Sequence, residues 1–461
     1  MQYAEFLNEI DRCAQEIIGV SDAMWDTPEL GFGEYASSAM LSDALERHGF
    51  RITKGLADIP TAFKAEFGFG RPAIGLLAEF DALPNLNYCF GVTEPILRTD
   101  AKNGHGCGHN LFAGGSLGAA LALKAYVERQ GKGSVTLFGC PGEENRGGKV
   151  YLSRAHVFDG MDAIVSWHPE KMHMVRTRPS LANVEVDYTF HGIASHAGGS
   201  PERGRSALDA VELMSVGCNY LREHMPTTCR IHYAYLNAGG EAPNIVQSQA
   251  TVRYLIRAND NEEVQTLRAR VDKVAQGAAM MTETDVEWKV VSAYSDLITN
   301  SVMQQVGYEA MQDIPIPVPN EADIAFGQAL QKTITLSKED ACKPLYADRV
   351  LPPAPPKPHG GSTDTADVSW NCPTLQFHIA TKVVGTPGHS WQVVAQGKTH
   401  FAHEATKFAA KVLASTAIRL MTDPERLAAA REEFLQKTAG GYVCPLPEEI
   451  TPHIRPNPES V

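Results

Sequence analysis

The segment GHGCGHN, residues 104–110, places His105, Cys107 and His109 within five residues, three side chains able to bind a metal ion. It stands before Leu111–Val127, an Ala- and Leu-rich stretch that reads as a helix. A helix N-terminus favours the thiolate, the form of cysteine that binds metal. Taken alone, the segment can equally be a Gly-rich turn with incidental histidines. In GCPGEEN, residues 139–145, Glu143 and Glu144 are adjacent carboxylates just after a strand. One can bind metal while the other faces the open coordination position and takes a proton from water. By itself the pair is also an ordinary solvated acidic turn. His168 in SWHPE, His389 in GTPGHSW and Asp81 in AEFDALP each have a bland account too, as structural histidines and a turn or capping aspartate. Their common placement says more. Asp81, Cys107, His109, Glu143, Glu144, His168 and His389 all fall at strand ends or in the loops that follow. In open α/β sheets that edge is where sites form. Oxygen, nitrogen and sulfur donors together suit zinc or manganese better than calcium.

The elements needed to position these groups can be read along the chain. Phe6, Ile10, Ile17 and Ile18 predict an opening amphipathic helix, and Met40, Leu41 and Leu45 a second. Ala73–Phe80, Ser134–Phe138 and Ala163–Trp167 are apolar runs of strand length. Such alternation predicts an α/β fold with an open, doubly wound catalytic domain built on a mixed sheet. The middle changes character. Strand-like Leu181–Gly192, helical Ser206–Met225, strand-like Arg230–Ala238 and Gln249–Ala258, helical Asn261–Thr284 and strand-like Asp285–Tyr294 follow one another. The order β-α-β-β-α-β is the split βαβ, or ferredoxin-like, unit. It predicts an inserted lid and dimerisation domain over 181–295, with the catalytic domain split into 1–180 and 296–461. Two helices are expected between Asn300 and Leu336, a stiff solvated loop over Lys338–His359, then strand Leu375–Ile379 and helix Phe401–Met421. The Pro- and Glu-rich last 15 or so residues are expected to attach loosely.

Composition narrows the partners. At about 150 residues per domain, 461 residues suggest two or three domains. The 43% hydrophobic and 21% charged residues are ordinary for a globular protein. With 41 Lys+Arg against 54 Asp+Glu, the formal charge is −13, which argues against nucleic acid and anionic membrane as partners. No apolar run approaches membrane-spanning length, and the opening MQYAEFLNEIDRC is unlike a signal peptide. Nine cysteines at low density fit a reducing cytoplasm better than a disulfide framework.

A family resemblance rests on WDTPELGFGEY (25–35), IPTAF (59–63), EFDALP (79–84), GHGCGHNL (104–111), GCPGEEN (139–145), SWHP (166–169), FHGIASHA (190–197), GRSALDAVELM (204–214), APNIV (242–246), ADVSW (366–370) and GTPGHSWQ (385–392). In this order the chain resembles the di-metal aminoacylase and carboxypeptidase G superfamily of amidohydrolases. The resemblance implies that Cys107 bridges two divalent metal ions, zinc or manganese, with His109, Glu144, His168 and His389 completing the ligand set. It implies Glu143 as general base and Asp81 as the residue orienting a ligand. His196 would stabilise the oxyanion from the opposite subunit, and Asn244 and Arg257 would hold the substrate carbonyl and carboxylate. Without the family, those three read as a core histidine, a turn asparagine and a sheet-surface arginine. Asn110, Gly198, Gly199, Thr365 and Ala366 depart from common family patterns and leave the ligand set intact.

The function so implied is metal-dependent hydrolysis of the amide bond of an N-acyl amino acid. The subgroup the segments approach points to an aromatic acyl group on an acidic amino acid, such as p-aminobenzoyl-glutamate. Other conjugates, such as indole-acetyl amino acids or dipeptides, are the rival substrates. A catalytically silent partner of a related hydrolase is the rival outside catalysis. The assembly implied is a homodimer, or a heteromer with a related A-type subunit.

Overall fold

The computed structural model describes residues 3–144, 146–355 and 361–457. Its larger sheet has eight strands: β1 (Arg51–Lys54), β2 (Phe63–Phe69), β3 (Ala73–Ala78), β4 (Gly133–Gly139), β5 (Ala163–Glu170), β6 (His173–Val175), then, after a separate four-stranded sheet, β11 (Val350–Leu351) and β12 (Thr374–Ala380). Their order across the sheet is β1-β2-β4-β3-β5-β12-β6-β11. The central four, β4, β3, β5 and β12, run parallel, so their carboxyl ends share one edge. β2 pairs antiparallel with β4, and β6 antiparallel with β12, so the sheet is mixed as its sequence predicts. All six residues of β3 are buried, as a central parallel strand covered on both sides requires.

After helices α1 (Ala4–Arg12), α2 (Ala14–Asp26) and α3 (Tyr35–Arg47), the helix following the Cys/His segment, α4 (His109–Gln130), is buried on nearly all sides. Small residues permit that. A methyl group on Gly115 would strike the Trp167 ring at 2.7 Å, and one on Gly118 would meet Ala410 at 2.9 Å. The site's histidine therefore starts a helix locked between the sheet and the long helix His400–Thr422.

The second sheet is formed by β7 (Ala182–His191), β8 (Arg230–Asn237), β9 (Gln249–Ala258) and β10 (Asp285–Tyr294), in the order β8-β9-β7-β10 and antiparallel throughout. Helices Ala207–Leu221 and Asn261–Thr282 pack on it, which gives the split βαβ order. Val184, Val186, Tyr188 and Phe190 alternate along β7 and are fully buried, each burial being worth about 1.5–3 kcal/mol for an aliphatic or Phe side chain. The intervening Asn183, Glu185 and Asp187 point to the other face.

Several elements depart from the sequence reading. The single opening helix is two, Ala4–Arg12 and Ala14–Asp26, broken at Cys13 (φ −94°, ψ 8°). β1 and β2 were not expected, nor were helices Trp391–Gln396 and Pro424–Lys437. The helices expected between Asn300 and Leu336 are Ser301–Gln312 and Glu321–Gln331. The 338–359 loop contains β11, and its residues 356–359 lie outside the described ones. The segment leading to residue 457 is not loose. Arg154 donates to the carbonyls of Pro447 and Ile450, and the Arg455 N–H donates to Phe32 O at 3.0 Å. Apolar burial of Leu446 and these carbonyl contacts outweigh the solvation that its Pro/Glu composition suggests.

Candidate metal centre and cleft

Four chain segments converge at the carboxyl edge of the parallel strands. β3 is followed by Glu79 and Asp81, β4 by Glu143 and Glu144, β5 carries His168, and His389 comes in the loop after β12. Cys107 and His109 arrive at the start of α4, where Gly108 adopts φ 83°, a conformation that suits glycine and turns the chain into the helix. Gly142 similarly adopts φ 70° and donates its N–H to the buried Glu34, which fixes the turn into Glu143. His389 has φ 52°, unusual for a non-glycine residue, and its N–H donates to Gly106 O at 3.1 Å. That bond ties the His389 loop to the Cys107 loop.

Asp81 organises two of these segments. Its Oδ1 lies 2.8 Å from His109 Nδ1, and its Oδ2 accepts the Glu144 N–H at 3.0 Å. Holding Nδ1 aims His109 Nε2 inward. Cys107 Sγ is 3.3 Å from His168 Nε2, and His389 Nε2 is 3.3 Å from Glu144 Oε2. The ligand atoms of Cys107, His109 and His168 lie within 4.8 Å of one another, and so do those of Cys107, Glu144 and His389. Two trios thus share one sulfur. Glu144 Oε1 is buried with no hydrogen-bond partner among the described residues, and His109 Nε2 makes no hydrogen bond there and has the Glu79 carboxylate 3.3 Å away, the condition a bound cation would relieve. The donor set of thiolate, imidazole and carboxylate fits zinc or manganese.

Glu143 joins neither of these trios, but its carboxylate forms a third group with Glu79 and His109, again within 4.8 Å of one another. Its Oε1 accepts from Thr363 Oγ1 at 2.9 Å. Burial, together with the charges of Glu79, Asp364 and Glu144, pushes its carboxyl well above the usual range. Burial and the neighbouring His109 hold His168 well below the ordinary histidine value. Burial opposes charge on His109, but Cys107 and Asp81 outweigh it and hold its pKa high.

Cys107, Glu143, Glu144, His168 and His389 line a cleft of about 510 Å³, and Arg257 reaches it from β9. Arg257 donates to Ser362 Oγ at 2.7 Å, next to the threonine that holds Glu143. His196 and Asn244 are elsewhere. Both are exposed on the smaller unit, side by side, with Ala197 N–H donating to Asn244 O at 2.9 Å. His196 Nδ1 accepts the N–H groups of Gly198 and Gly199 at 3.2 and 3.0 Å. Neither lines the cleft of its own chain. His105 turns away, its Nε2 3.1 Å from Met24 O, and burial lowers its pKa to about 4.

Sequence reasoning missed a buried charge network behind the site. Lys149 is fully buried, with Nζ 2.7 Å from Glu79 Oε1 and 2.6 Å from Asp364 Oδ1. Glu79 Oε2 lies 3.3 Å from His109 Nε2. The one sequence signal was Glu79 itself, two residues before Asp81 at the end of an apolar strand.

Peptidase family M20/M25/M40 matches residues 75–435. The chain is 40% identical to the B-type subunit of p-aminobenzoyl-glutamate hydrolase from Escherichia coli (strain K12), covering 96% of this chain and 97% of the relative. Its fold is similar to a dinuclear metal binding peptidase of the M20 family from Bacillus subtilis, with TM-score 0.60, 19% identity, and coverage of 89% of this chain and 99% of the other. It is similar again to an aminobenzoyl-glutamate utilization protein from Klebsiella pneumoniae, with TM-score 0.59, 19% identity, and coverage of 90% and 98%.

Proposed function

The chain belongs to peptidase family M20/M25/M40 and is a metal-dependent amidohydrolase, and from that premise we propose that it cleaves p-aminobenzoyl-glutamate or a similar aromatic acyl-amino acid. The observation that carries the reading is the pair of ligand trios sharing Cys107, set beside Glu143, which belongs to neither, in a cleft that Arg257 enters. The 40% identity along nearly the whole chain to one component of a p-aminobenzoyl-glutamate hydrolase supports the substrate.

In this proposal Cys107, His109 and His168 would hold one divalent ion, and Cys107, Glu144 and His389 would hold the other, zinc or manganese. Bound there, the metals supply Lewis acidity toward the substrate carbonyl and the attacking water. Asp81 fixes the orientation of His109 and of the Glu144 backbone. Glu143 accepts the proton of the attacking water and delivers it to the leaving nitrogen. Thr363 keeps that carboxylate in place. Arg257 pairs with a free carboxylate of the amino acid, and Asn244 and His196 contact the scissile carbonyl, His196 as oxyanion donor.

Because His196 and Asn244 lie outside their own chain's cleft, the proposal requires a partner subunit to present them. Residues 181–295 would form the lid and dimerisation domain. Exposed apolar side chains on that unit, Leu213, Val216 and Tyr220 on one helix and Tyr235 and Leu236 on a strand, support pairing there. The partner is a second copy or a related A-type subunit; that the Escherichia coli relative is a B-type subunit supports the heteromer. Among the described residues no helix is long and apolar enough to cross a membrane. The nine unpaired cysteines support a cytoplasmic location.

The test is a substrate panel on the purified, metal-loaded chain: p-aminobenzoyl-glutamate, an indole-acetyl amino acid and a dipeptide. The expected result is preferred cleavage of the first, abolished by exhaustive chelation and restored by zinc or manganese. Full activity in demonstrably metal-free protein overturns the proposal, and preference for another conjugate overturns its substrate.

A further inference from the structure

Arg176 follows β6 and continues the antiparallel pairing with β12, its N–H donating to Gln376 O at 2.9 Å. One step along, Met174 stands opposite His378, and His378 stands opposite His168. Opposite residues of paired strands share a face, as do residues two apart on one strand, so Arg176 projects to the side that carries His168. It lines the same cleft. Its Nη1 donates to Gln376 Oε1 at 2.5 Å and its Nε to Arg178 O at 3.5 Å. These bonds fix the plane of the guanidinium, yet no carboxylate of the described residues lies within 4.0 Å of it. The nearest acids bearing on it, Glu143 and Glu170, are engaged, Glu143 by Thr363 and Glu170 by the field of Lys382. Burial lowers the Arg176 pKa to about 10, the mark of a cation short of solvent.

Arg257 lines the same cleft. It comes from the four-stranded sheet, is held by Ser362, and likewise has no carboxylate of the described residues within 4.0 Å. Partly desolvated cations persist where something pairs with them. Two pre-oriented guanidiniums facing one cleft match a ligand with two carboxylates. A monocarboxylate would leave one of them uncompensated.

We propose that Arg176 is a specificity-determining residue that binds the second carboxylate of an acidic leaving amino acid, while Arg257 binds the first. This rests on the acyl-amino-acid hydrolase reading above and deepens it. It explains selectivity for glutamate or aspartate over neutral amino acids by a residue on the larger sheet rather than on the lid.

The test compares p-aminobenzoyl-glutamate with p-aminobenzoyl-glutamine, which keeps one carboxylate and replaces the other by an amide of the same shape. Metal-loaded wild type, Arg176→Gln and Arg176→Lys are assayed. Charge-assisted hydrogen bonds are strong enough that Arg176→Gln should lower kcat/KM for the glutamate substrate about 10- to 100-fold. The glutamine substrate should change less than about threefold, and Arg176→Lys should recover part of the glutamate activity. Calorimetry adds a readout independent of turnover. Glutarate, with two carboxylates, should bind wild type more tightly than butyrate, and Arg176→Gln should erase the difference. Equal losses on both substrates, or an unchanged preference for glutarate, overturns the role of Arg176. A wild type that binds glutarate through Arg176 but cleaves no acyl-amino acid leaves this inference standing and overturns the hydrolase reading instead. If Arg176→Gln does not fold, Arg176→Lys carries the test. Loss of the planar fork should still cost several-fold on the glutamate substrate alone, and no change on that substrate overturns the proposal.

Discussion

Lys149→Met removes the cation at the centre of the buried network behind the site. Lys149, Glu79 and Asp364 are each 1% exposed or less, and Nζ touches both carboxylates at 2.7 and 2.6 Å. Methionine replaces much of the aliphatic stem, so the principal loss is charge. Breaking a buried ion pair from one side costs about 3–5 kcal/mol, because the remaining charge is left uncompensated. One lysine here faces two carboxylates, so the upper end applies. The control is Arg12→Met, which breaks the exposed Arg12–Glu9 pair and should cost less than about 1 kcal/mol. Urea unfolding with chelator present measures both without the linkage that bound metal adds. The pH dependence has a definite sign. Burial raises Asp364 to about 6, against roughly 3.9 in an unfolded chain. A raised carboxyl favours the fold most below its unfolded value, and that contribution is lost as pH climbs through about 6. Lys149 is the main group holding Asp364 down, so its removal extends the loss to higher pH. The deficit of Lys149→Met should therefore widen from about pH 5 to pH 8, and adding Asp364→Asn should recover part of it. A deficit under about 1 kcal/mol, or one flat with pH, refutes the account of Lys149 as a charge-compensating centre.

Other expectations concern the cleft directly. Glu144→Ala should lose bound metal, whereas Glu143→Gln should keep metal and fold but lose about 10²- to 10⁴-fold in kcat; metal analysis beside kinetics separates them, and normal turnover by Glu143→Gln means the base is misassigned. Arg257→Ala should raise KM sharply for acyl-glutamates and much less for substrates whose amino acid lacks any free carboxylate; equal effects would reduce it to a structural residue. Mixing His196→Ala with Glu143→Gln should restore roughly a quarter of wild-type activity per site, since about half of randomly formed dimers are hybrids with one intact cleft of two. If subunits demonstrably exchange and no activity returns, His196 does not act across an interface.

The site was readable in sequence wherever its chemistry sits in turns with unusual composition. Cys107 and His109 lie among glycines because the chain must turn sharply into α4, and Glu143 follows Gly142 for the same reason. Strand ends of the parallel sheet could be placed because β3 and β5 are continuous apolar runs. β2 escaped because FKAEFGF lies toward one side of the sheet, with an irregular pattern of buried and exposed residues. Lys149 was invisible, since a lysine in GGKVYL reads as a solvated helix residue until Asp364, 215 positions away, closes on it. Arg176 escaped because it extends a three-residue strand whose pairing depends on β12, far along the chain. His196 was placed at the site by family resemblance alone, and it does not line the cleft of its own chain.

The clasp made by Arg455 has a bearing on when the cleft can mature. Its side chain donates to Gly31 O and its N–H to Phe32 O, while Tyr35 donates to Arg455 O. Phe32 in turn presses on Gly142, where a methyl group would meet its ring at 2.8 Å, and Gly142 leads directly into Glu143. The turn that presents Glu143 is thus braced by a residue far downstream in the chain. Until the segment around Arg455 has folded back onto Gly31 and Phe32, the turn lacks that brace. Changes near residue 455 are therefore expected to be felt at Glu143, and Gly31 and Arg455 themselves line a cavity beside Glu144 and Arg257.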